Sequence, residues 1–457
     1  MKKLIALFLA LTMVLSLSAF ALADGEVISD VEDTITIVAP PIITGYTDFL
    51  AGWIEEFNVM YPNLHIEVIP SSWDDNVSRL TQQALSGDAP DIGNIECQTL
   101  GTYVEMGVAI DIRDYMPEGR LDDYDESVLG YMTLDDTLYG LPLYVSIQAM
   151  GGNKAMLEAA GVDVEKVQNE GWSYDEFLAA IEKGTTEDTY GFVFANAGIT
   201  TTDFVHIFGT VAGLTNDFTE DLKYAYTSEN MLMLLEGIEE VISSGWMPNY
   251  GVEAGTRLVM LETGECMITG KAMPLFEANV KNNLAGLADG TAVEGTIEME
   301  YVFLPCPIMD GATETTYGMA NAFLPLRNNN TTDEHLKNVM LFLDFICSGE
   351  RAAKTAGDCY LSAVCETGRE AQASMTLDQS EGNAAAAARA VSLVVAPPSG
   401  VTGEQSGNAN TIMNEVIVPK MQALIAGETT AQEMYDTICQ EAFAVFGEEG
   451  CETGFIA

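Results

Sequence analysis

The residues best suited to chemistry with a polar, ring-shaped ligand follow three predicted strands. Glu96 and Gln98 come directly after the short apolar segment Asp91 to Ile95, where polar side chains have no evident packing role. Trp73 and Tyr46 begin the two helices that follow the preceding strands. Flat aromatic faces stack on sugar rings, while carboxylates and amides bind hydroxyls. This combination favours saccharide binding, although Trp73 and Tyr46 also fit the apolar faces of their helices as core residues.

Further candidates for ligand contact come from later in the chain. They are aromatic or polar residues at predicted strand ends, at predicted crossings between lobes or after a predicted helix: Tyr144, Asn196, Trp246, Lys271 and Tyr317. Trp246 follows the helix-ending Gly245, so a core role is its alternative.

Catalytic and metal-binding signatures are absent from the sequence. The chain has no G-x-S-x-G, H-E-x-x-H, Walker or calcium-loop pattern. His65, His206 and His335 stand in settings typical of structural histidines. We therefore expect no enzyme activity, no cofactor and no metal, with two alternatives left open. The many carboxylates leave room for a glycosidase pair, and the acidic loop 122–126 for a weak cation site.

The elements that carry these residues alternate between strand and helix. Ile35 to Val38, Leu64 to Ile69 and Asp91 to Ile95 read as strands, separated by amphipathic helices. Two right-handed crossovers of this kind build a doubly wound α/β lobe. The loops after its strands then share one sheet edge, which is where open α/β sheets bind ligands.

A second α/β lobe is predicted farther along the chain. The extended segment Leu143 to Met150 leads into it. Ser173 and Glu176 have the spacing of a capping box, with Trp172 and Phe177 as its hydrophobic staple. Pro397 to Asn410 is rich in Gly, Ser and Asn and reads as a linker.

The amino terminus has the pattern of an export signal. Lys2 and Lys3 precede an apolar run from Leu4 to Leu17, and Ala21-Leu22-Ala23 fits a signal peptidase site. We expect a signal peptide at residues 1–23 and an exported, soluble, extracellular or periplasmic protein. A cysteine for lipid attachment is absent at the cleavage site, since the first cysteine is Cys97.

Charge and cysteine content narrow the partners. The formal net charge of -50 repels nucleic acid and anionic solutes, and it favours a neutral or cationic ligand. Eight cysteines in 457 residues are too few for a disulfide scaffold. Cys359 with Cys365, and Cys439 with Cys451, are close enough in sequence to pair, and the sequence leaves this open.

Several motifs occur in a distinctive order. They are L-S-G-D-A-P-D at residues 85–91, Y-G-L-P at 139–142, N-K-A-M-L at 153–157, W-S-Y-D-E-F at 172–177 and L-E-T-G-E-C-M at 261–267. Over roughly residues 35–350 this series resembles the extracellular solute-binding proteins of ABC importers, in the family that contains maltose- and oligosaccharide-binding members. Members often have an aromatic residue where this chain has Lys271-Ala272.

The resemblance implies a two-lobed periplasmic-binding-protein fold, in which each lobe is a doubly wound sheet flanked by helices and the ligand cleft lies between the lobes. The implied division is a first lobe at 24–145, a second at 146–317, a return to the first at 318–350 and helices at 351–457 packed on the second lobe. The implied function is capture of an oligosaccharide by hinge closure and delivery to a membrane ABC permease by a monomer that binds no nucleic acid. A secreted carbohydrate-active hydrolase and a peptide- or polyamine-binding protein are the alternatives.

Overall fold

The computed structural model describes residues 32–43, 45–197 and 200–456. The expected signal peptide lies outside the described residues. The strands are β1 Asp33–Ala39, β2 Leu64–Pro70, β3 Ile92–Glu96, β4 Thr133–Leu134, β5 Thr137–Leu138, β6 Leu141–Asn153, β7 Tyr190–Val193, β8 Cys266–Ala272, β9 Tyr301–Leu304 and β10 Tyr317–Pro325.

Helices surround these strands. They are α1 Tyr46–Met60, α2 Trp73–Ser86, α3 Leu100–Glu105, α4 Glu126–Leu129, α5 Lys154–Ala159, α6 Val164–Glu170, α7 Tyr174–Gly184, α8 Thr200–Gly209, α9 Glu229–Ser243, α10 Ala254–Glu262, α11 Phe276–Ala285, α12 Asp333–Cys347, α13 Gly349–Asp358, α14 Glu366–Gln372, α15 Glu381–Ser392, α16 Gly403–Ile412, α17 Val418–Ile425 and α18 Ala431–Phe446. A π-helical turn, Met413–Ile417, joins α16 to α17. Within the described residues, none of the helices combines the length and the apolar character needed to span a bilayer.

A mixed sheet joins the two lobes through one long strand. The strand order is β2-β1-β3-β10-β6-β8-β7, and β9 also pairs with β6. The first half of β6 pairs with β10, whereas its second half, from Ala149 onward, pairs with β8 and β9. The strands β1, β2 and β3 are parallel, as two right-handed crossovers require. The chain therefore has the predicted two-lobed α/β fold, with β6 as the shared strand.

Each lobe has its own apolar core. In the first lobe, Phe57 of α1 packs on Phe342 of α12, with ring centroids 5.0 Å apart. In the second, Phe177 of α7 packs on Phe192 of β7 at 5.3 Å. The predicted capping box and staple begin α7: Ser173 accepts from the Glu176 amide, and the rings of Trp172 and Phe177 lie 5.6 Å apart.

The carboxyl-terminal helices divide their contacts between the lobes. The helices α17 and α18 pack on α8 and α9. The helix α13 instead packs on β6 and α12. Cys365, just before α14, forms an isolated antiparallel β-bridge with the backbone of Tyr124. Residues 403–410 of the predicted linker form most of α16, which packs on α3. All eight cysteines are free thiols, so neither Cys359 with Cys365 nor Cys439 with Cys451 forms a disulfide bond.

A histidine links α12 to the first sheet at the edge opposite the loops that follow β1, β2 and β3. The His335 ring contacts Asp33 through Nδ1 at 2.9 Å and Asp91 through Nε2 at 3.0 Å. These groups border a surface cavity of about 540 Å³. The hydrogen bond to Asp91 is the main cause that raises the pKa of His335 to about 9. His335 is therefore a structural cation that holds three elements together.

The His335 contacts predict a pH-dependent contribution to stability. Because the folded-state pKa is raised from 6.5, the contribution is complete below pH 6.5 and is lost as the pH rises through 9. One pKa unit corresponds to about 1.4 kcal/mol, so the contribution of His335 to the free energy of unfolding is about 3 kcal/mol at most. Urea unfolding at pH 6 should therefore separate His335→Gln from the parent protein more widely than at pH 9.5. An equal difference in unfolding free energy at both pH values would show that the charge on His335 is not the cause.

Candidate functional site

The loops that follow β1 and β2 meet at Trp73. Its indole Nε1 donates a hydrogen bond to the Pro41 carbonyl at 3.2 Å, which links the two loops. Ser72 caps α2 by accepting from the Asp75 amide at 3.2 Å, and this cap fixes where the helix and its first residue stand. Trp73 remains 43% exposed, so it is not a core residue. Its ring lies at the predicted edge of the first lobe.

We predict that Trp73→Ala weakens saccharide binding without unfolding the first lobe. A lost stacking face costs about 0.5–1.5 kcal/mol, or roughly two- to twelvefold in affinity. Stability should change by less than about 1 kcal/mol, because truncating an exposed ring leaves no closed cavity. Calorimetric titration and thermal melting measure the two quantities.

Tyr250→Ala is the matched control, since Tyr250 is also an exposed aromatic residue, at 52%. Unchanged affinity in Trp73→Ala together with a stability loss of roughly 3 kcal/mol would make Trp73 a packing residue instead.

Tyr317 is the centre of the contacts between the lobes. Gln98, after β3, donates a side-chain hydrogen bond to the Tyr317 hydroxyl. On its other side the Tyr317 ring stacks on His206 of α8, with centroids 5.6 Å apart and planes 2° from parallel. The Nε2 atom of His206 lies 3.2 Å from Asp217 Oδ1. A residue of β10 thus connects a first-lobe loop to a second-lobe helix.

An ion pair lines the second-lobe side of this contact. Lys271, in β8, donates to the Asp203 carboxylate on α8, and their side chains are 18% and 12% exposed. Lys271 has a positive φ of 52°, which is uncommon for a residue other than glycine. Strained backbone of this kind clusters at functional sites. Asp203 precedes His206 by three residues, so both lie on one face of α8.

Glu96 faces this ion pair from the end of β3. Burial, together with repulsion from Asp203, raises the pKa of Glu96 to about 7, while Lys271 and His206 oppose the rise. Glu96 thus lies close to charged side chains of the second lobe, and ligand contact by Glu96 and Gln98 stays a prediction. The site holds opposite charges and polar groups from β3, α8, β8 and β10.

The other predicted residues have contacts elsewhere. Tyr46 is buried in the first lobe against Trp53, with centroids 6.1 Å apart. The Asn196 Oδ1 atom accepts from the Val252 amide at 2.8 Å, which fixes a second-lobe loop. Trp246 packs against the core after α9. Tyr144 is buried in β6, and this burial is the main cause of its raised pKa, to which the nearby Cys359 and Glu96 also contribute. Tyr144 is therefore the member of this group that borders the site.

The acidic loop after the first-lobe sheet is engaged by protein groups. Asp123 accepts from the Thr367 amide at 2.8 Å and from its hydroxyl at 2.7 Å, and Asp125 lies 3.4 Å from Arg369. Across the part of the chain that the structure describes, no three His, Cys, Asp or Glu side chains are arranged to hold a metal ion.

A helix anchored in the second lobe also reaches across to the first. The Asn410 side chain of α16 donates to the Gln98 carbonyl at 3.0 Å, and the Gly403 amide donates to Asp135 at 3.0 Å. Gly101 of α3 and Gly407 of α16 let the two helices approach closely, because a Cβ on either would collide with the other helix. The structure is therefore a form in which the lobes touch at this edge.

Sequence reasoning missed Asp203 and the part played by His206. Both lie in α8, whose other side chains are mostly apolar: Phe204, Val205, Ile207 and Phe208. A carboxylate and an imidazole three residues apart on such a helix form a polar face that the core cannot accept unpaired. The spacing of Asp203 and His206 was the sequence feature from which this polar face could have been predicted.

Comparison with known proteins agrees with the fold. Residues 43–254 match the family model described as bacterial extracellular solute-binding protein. A putative binding protein of Brucella abortus is 25% identical over 297 residues, which cover 64% of this chain and 66% of that protein. An arabinooligosaccharide-binding protein of Halalkalibacterium halodurans is 28% identical over 177 residues, 38% of each protein. The chain thus spans at most about two thirds of these curated relatives.

A solved structure extends the likeness to nearly the whole chain. An ABC substrate-binding protein of Listeria monocytogenes in complex with cycloalternan superposes with a TM-score of 0.68, covering 91% of this chain and 98% of that one at 16% identity. At this identity the match concerns the fold. Together with the family match over residues 43–254, it shows that the chain is similar to the bacterial extracellular solute-binding proteins, in sequence over that segment and in fold over nearly its whole length.

Proposed function

We propose that this protein captures a saccharide, an oligosaccharide by preference, between its two lobes and delivers it to a membrane ABC permease. The observation that carries the proposal is the convergence at Tyr317, where Gln98 of the first lobe and His206 of the second contact one ring. Glu96 and Lys271 add charged groups from the two sides. A ligand held there touches both lobes, and differential affinity for the closed form is what drives closure.

Residue chemistry supports a saccharide over an apolar ligand. The exposed aromatic face of Trp73 suits a sugar ring, while the carboxylate, amide and ammonium groups around Tyr317 suit hydroxyls. The family match and the oligosaccharide-binding relative agree with this class. The expected export and monomeric state belong to the same proposal, as does the permease partner.

The experiment is a thermal-shift screen against a glycan library, followed by calorimetric titration of each hit. A saccharide that binds only the folded protein raises the midpoint by mass action, by an amount equivalent to about 2.7 kcal/mol at 100 times Kd. The bound glycan should be recovered unchanged by mass spectrometry. Failure of every glycan class to shift the midpoint, with a peptide or polyamine shifting it, would contradict the proposal.

One observation favours a hydrolase as the second candidate. A carboxyl group with a raised pKa beside a second carboxylate is the arrangement that glycosidases use, and Glu96 beside Asp203 has this character. The Lys271 contact counts against it, because Asp203 is already held by an ammonium group. Shortened products in the recovered glycan, abolished by Glu96→Gln, would establish the hydrolase.

A further inference from the structure

The base of the cleft contains polar atoms without hydrogen-bond partners. Gln148 and His206 are only 3% and 8% exposed. Within residues 32–43, 45–197 and 200–456, Gln148 Oε1 and His206 Nδ1 meet no partner, and neither does Gln98 Oε1. Buried polar atoms are normally hydrogen-bonded, and each exception needs an explanation. Three exceptions at one place point to a ligand that meets them.

These three atoms surround the Tyr317 ring. Gln98 donates to its hydroxyl, and His206 stacks on its face. Gln148 is the antiparallel register partner of Tyr317 in the β6–β10 pair. Directly opposed residues of an antiparallel pair project from the same face of the sheet. Gln148 therefore stands beside Tyr317 on the face that His206 covers.

Two of the three unpartnered atoms can only accept hydrogen bonds, since they are the side-chain oxygens of Gln98 and Gln148. His206 Nε2 lies 3.2 Å from Asp217 Oδ1, so its unpartnered Nδ1 is the ring nitrogen left for a ligand. The ligand group that fits here must supply several donors. A hydroxyl supplies one donor, whereas an ammonium group supplies three donors and no acceptor.

The charges around Glu96 favour the same group. Lys271 is paired with Asp203, and the Arg257 guanidinium donates to the Lys271 carbonyl at 2.9 Å and lies 5.0 Å from the Phe276 ring centroid. Among the described residues, none donates a hydrogen bond to the Glu96 side chain. Burial and Asp203 raise the pKa of this carboxyl to about 7. A cation beside it would remove both the repulsion and the cost of burying its charge.

We propose that the base of the cleft binds a protonated amino group, which makes an amino-bearing saccharide the preferred ligand. The inference rests on the proposed saccharide-binding function and names the chemical feature that this site selects. The net charge of -50 draws such a cation toward the cleft. An anionic sugar acid places a carboxylate, which only accepts hydrogen bonds, beside the Glu96 carboxyl and is disfavoured by charge repulsion.

The test compares sugars that differ only at one position. Calorimetric titration at pH 7 with glucosamine, N-acetylglucosamine, glucose and glucuronate, and with the β-1,4 oligomers of the first three, measures the preference directly. The galactose series is titrated in the same way. The amino form should bind at least tenfold more tightly than its hydroxyl or acetamido counterpart in the series that binds, and the uronate should not bind. Spermidine, which has amines without a sugar ring, should bind more weakly.

Variants locate the preference in this site. Glu96→Gln should bring the ratio of amino to hydroxyl affinity close to one, and Gln148→Met should reduce it several-fold. Gln83→Leu is the matched control, because Gln83 also has an unpartnered buried amide oxygen but lies at the carboxyl end of α2, away from the cleft. It should leave the ratio unchanged.

The possible outcomes distinguish the preference for an amino group from saccharide binding itself. A neutral sugar that binds as tightly as its amino form, or an amino preference that survives Glu96→Gln, overturns the inference and leaves saccharide binding intact. Tighter binding of spermidine than of any sugar overturns the choice of a saccharide. Absence of binding by any glycan overturns both proposals.

Discussion

Gly101→Leu is expected to hold the lobes apart and to weaken ligand binding by roughly 5- to 150-fold. A Cβ atom at Gly101 would lie 2.9 Å from Ser406 Cβ and 3.3 Å from the Gly407 amide nitrogen of α16. Overpacking of this kind costs about 1–3 kcal/mol. Because α3 belongs to the first lobe and α16 is anchored to the second through α17 and α18, the cost falls on the closed form. Calorimetric titration with a saccharide from the glycan screen measures the loss.

Gly52→Leu is the matched control for this helix substitution. Gly52 lies in α1, and a Cβ there meets no atom within 4 Å, so the variant should bind as the parent protein does. Thermal melting of Gly101→Leu should remain close to that of Gly52→Leu, since the open form keeps both cores. Parent-like affinity in Gly101→Leu would show that the α3–α16 contact has no part in closure.

Lys271→Met is expected to lower the free energy of unfolding by about 3 kcal/mol. The substitution keeps the apolar stem but removes the ammonium group from Asp203, which then stays partly buried near Glu96 with Arg257 as its remaining cationic neighbour. Breaking a buried ion pair by removing one partner typically costs about 3–5 kcal/mol, and the remaining exposure of this pair places it at the lower end. Urea unfolding at pH 7 provides the measurement.

The double variant Lys271→Met with Asp203→Leu is the control for this assignment. Replacing both members of a buried pair by apolar side chains is often neutral or stabilising. The double variant should therefore regain most of the lost stability while losing ligand affinity. If it is less stable than Lys271→Met alone, the ion pair is not the source of the effect.

Local signals in the sequence predicted the local structure well. The capping box of Ser173 and Glu176 begins α7 as expected, and Thr430 with Glu433 begins α18 in the same way. Each motif satisfies orphan amide groups within one helical turn, so its outcome depends on few distant residues. The parallel strands β1 to β3 follow from a periodic signal in the sequence, whereas the return of β10 to the first lobe was implied by the family resemblance.

Contacts between residues that are far apart in the chain could not be predicted from the sequence. The shared strand β6 pairs with three different partners along its length, and nothing in its apolar sequence marks the change at Ala149. The stacking of Tyr317 on His206 joins β10 to α8 across the lobes. Sequence reasoning proposed Tyr317 but treated His206 as structural, because only the tertiary fold brings the two rings together.

The helix α16 was missed because its composition argues against a helix. Its sequence, G-E-Q-S-G-N-A-N-T-I, combines glycine, serine and asparagine, which have low helix propensity. Two features outweigh that composition: Thr402 and Gln405 form a capping box, and the small residues let α16 pack closely on α3. The close contact between α16 and α3 requires small residues, although helix propensity alone would assign these residues to a linker.

Small-angle X-ray scattering with and without saturating saccharide tests most directly whether the two lobes close on a ligand. The account predicts a smaller radius of gyration on binding in the parent protein, a smaller change in Gly101→Leu, and glycan recovered intact from the same sample. Moving the equilibrium from 1:99 to 99:1 takes about 5.5 kcal/mol of differential affinity. An unchanged scattering profile at saturation, with cleaved glycan in the sample, would contradict it.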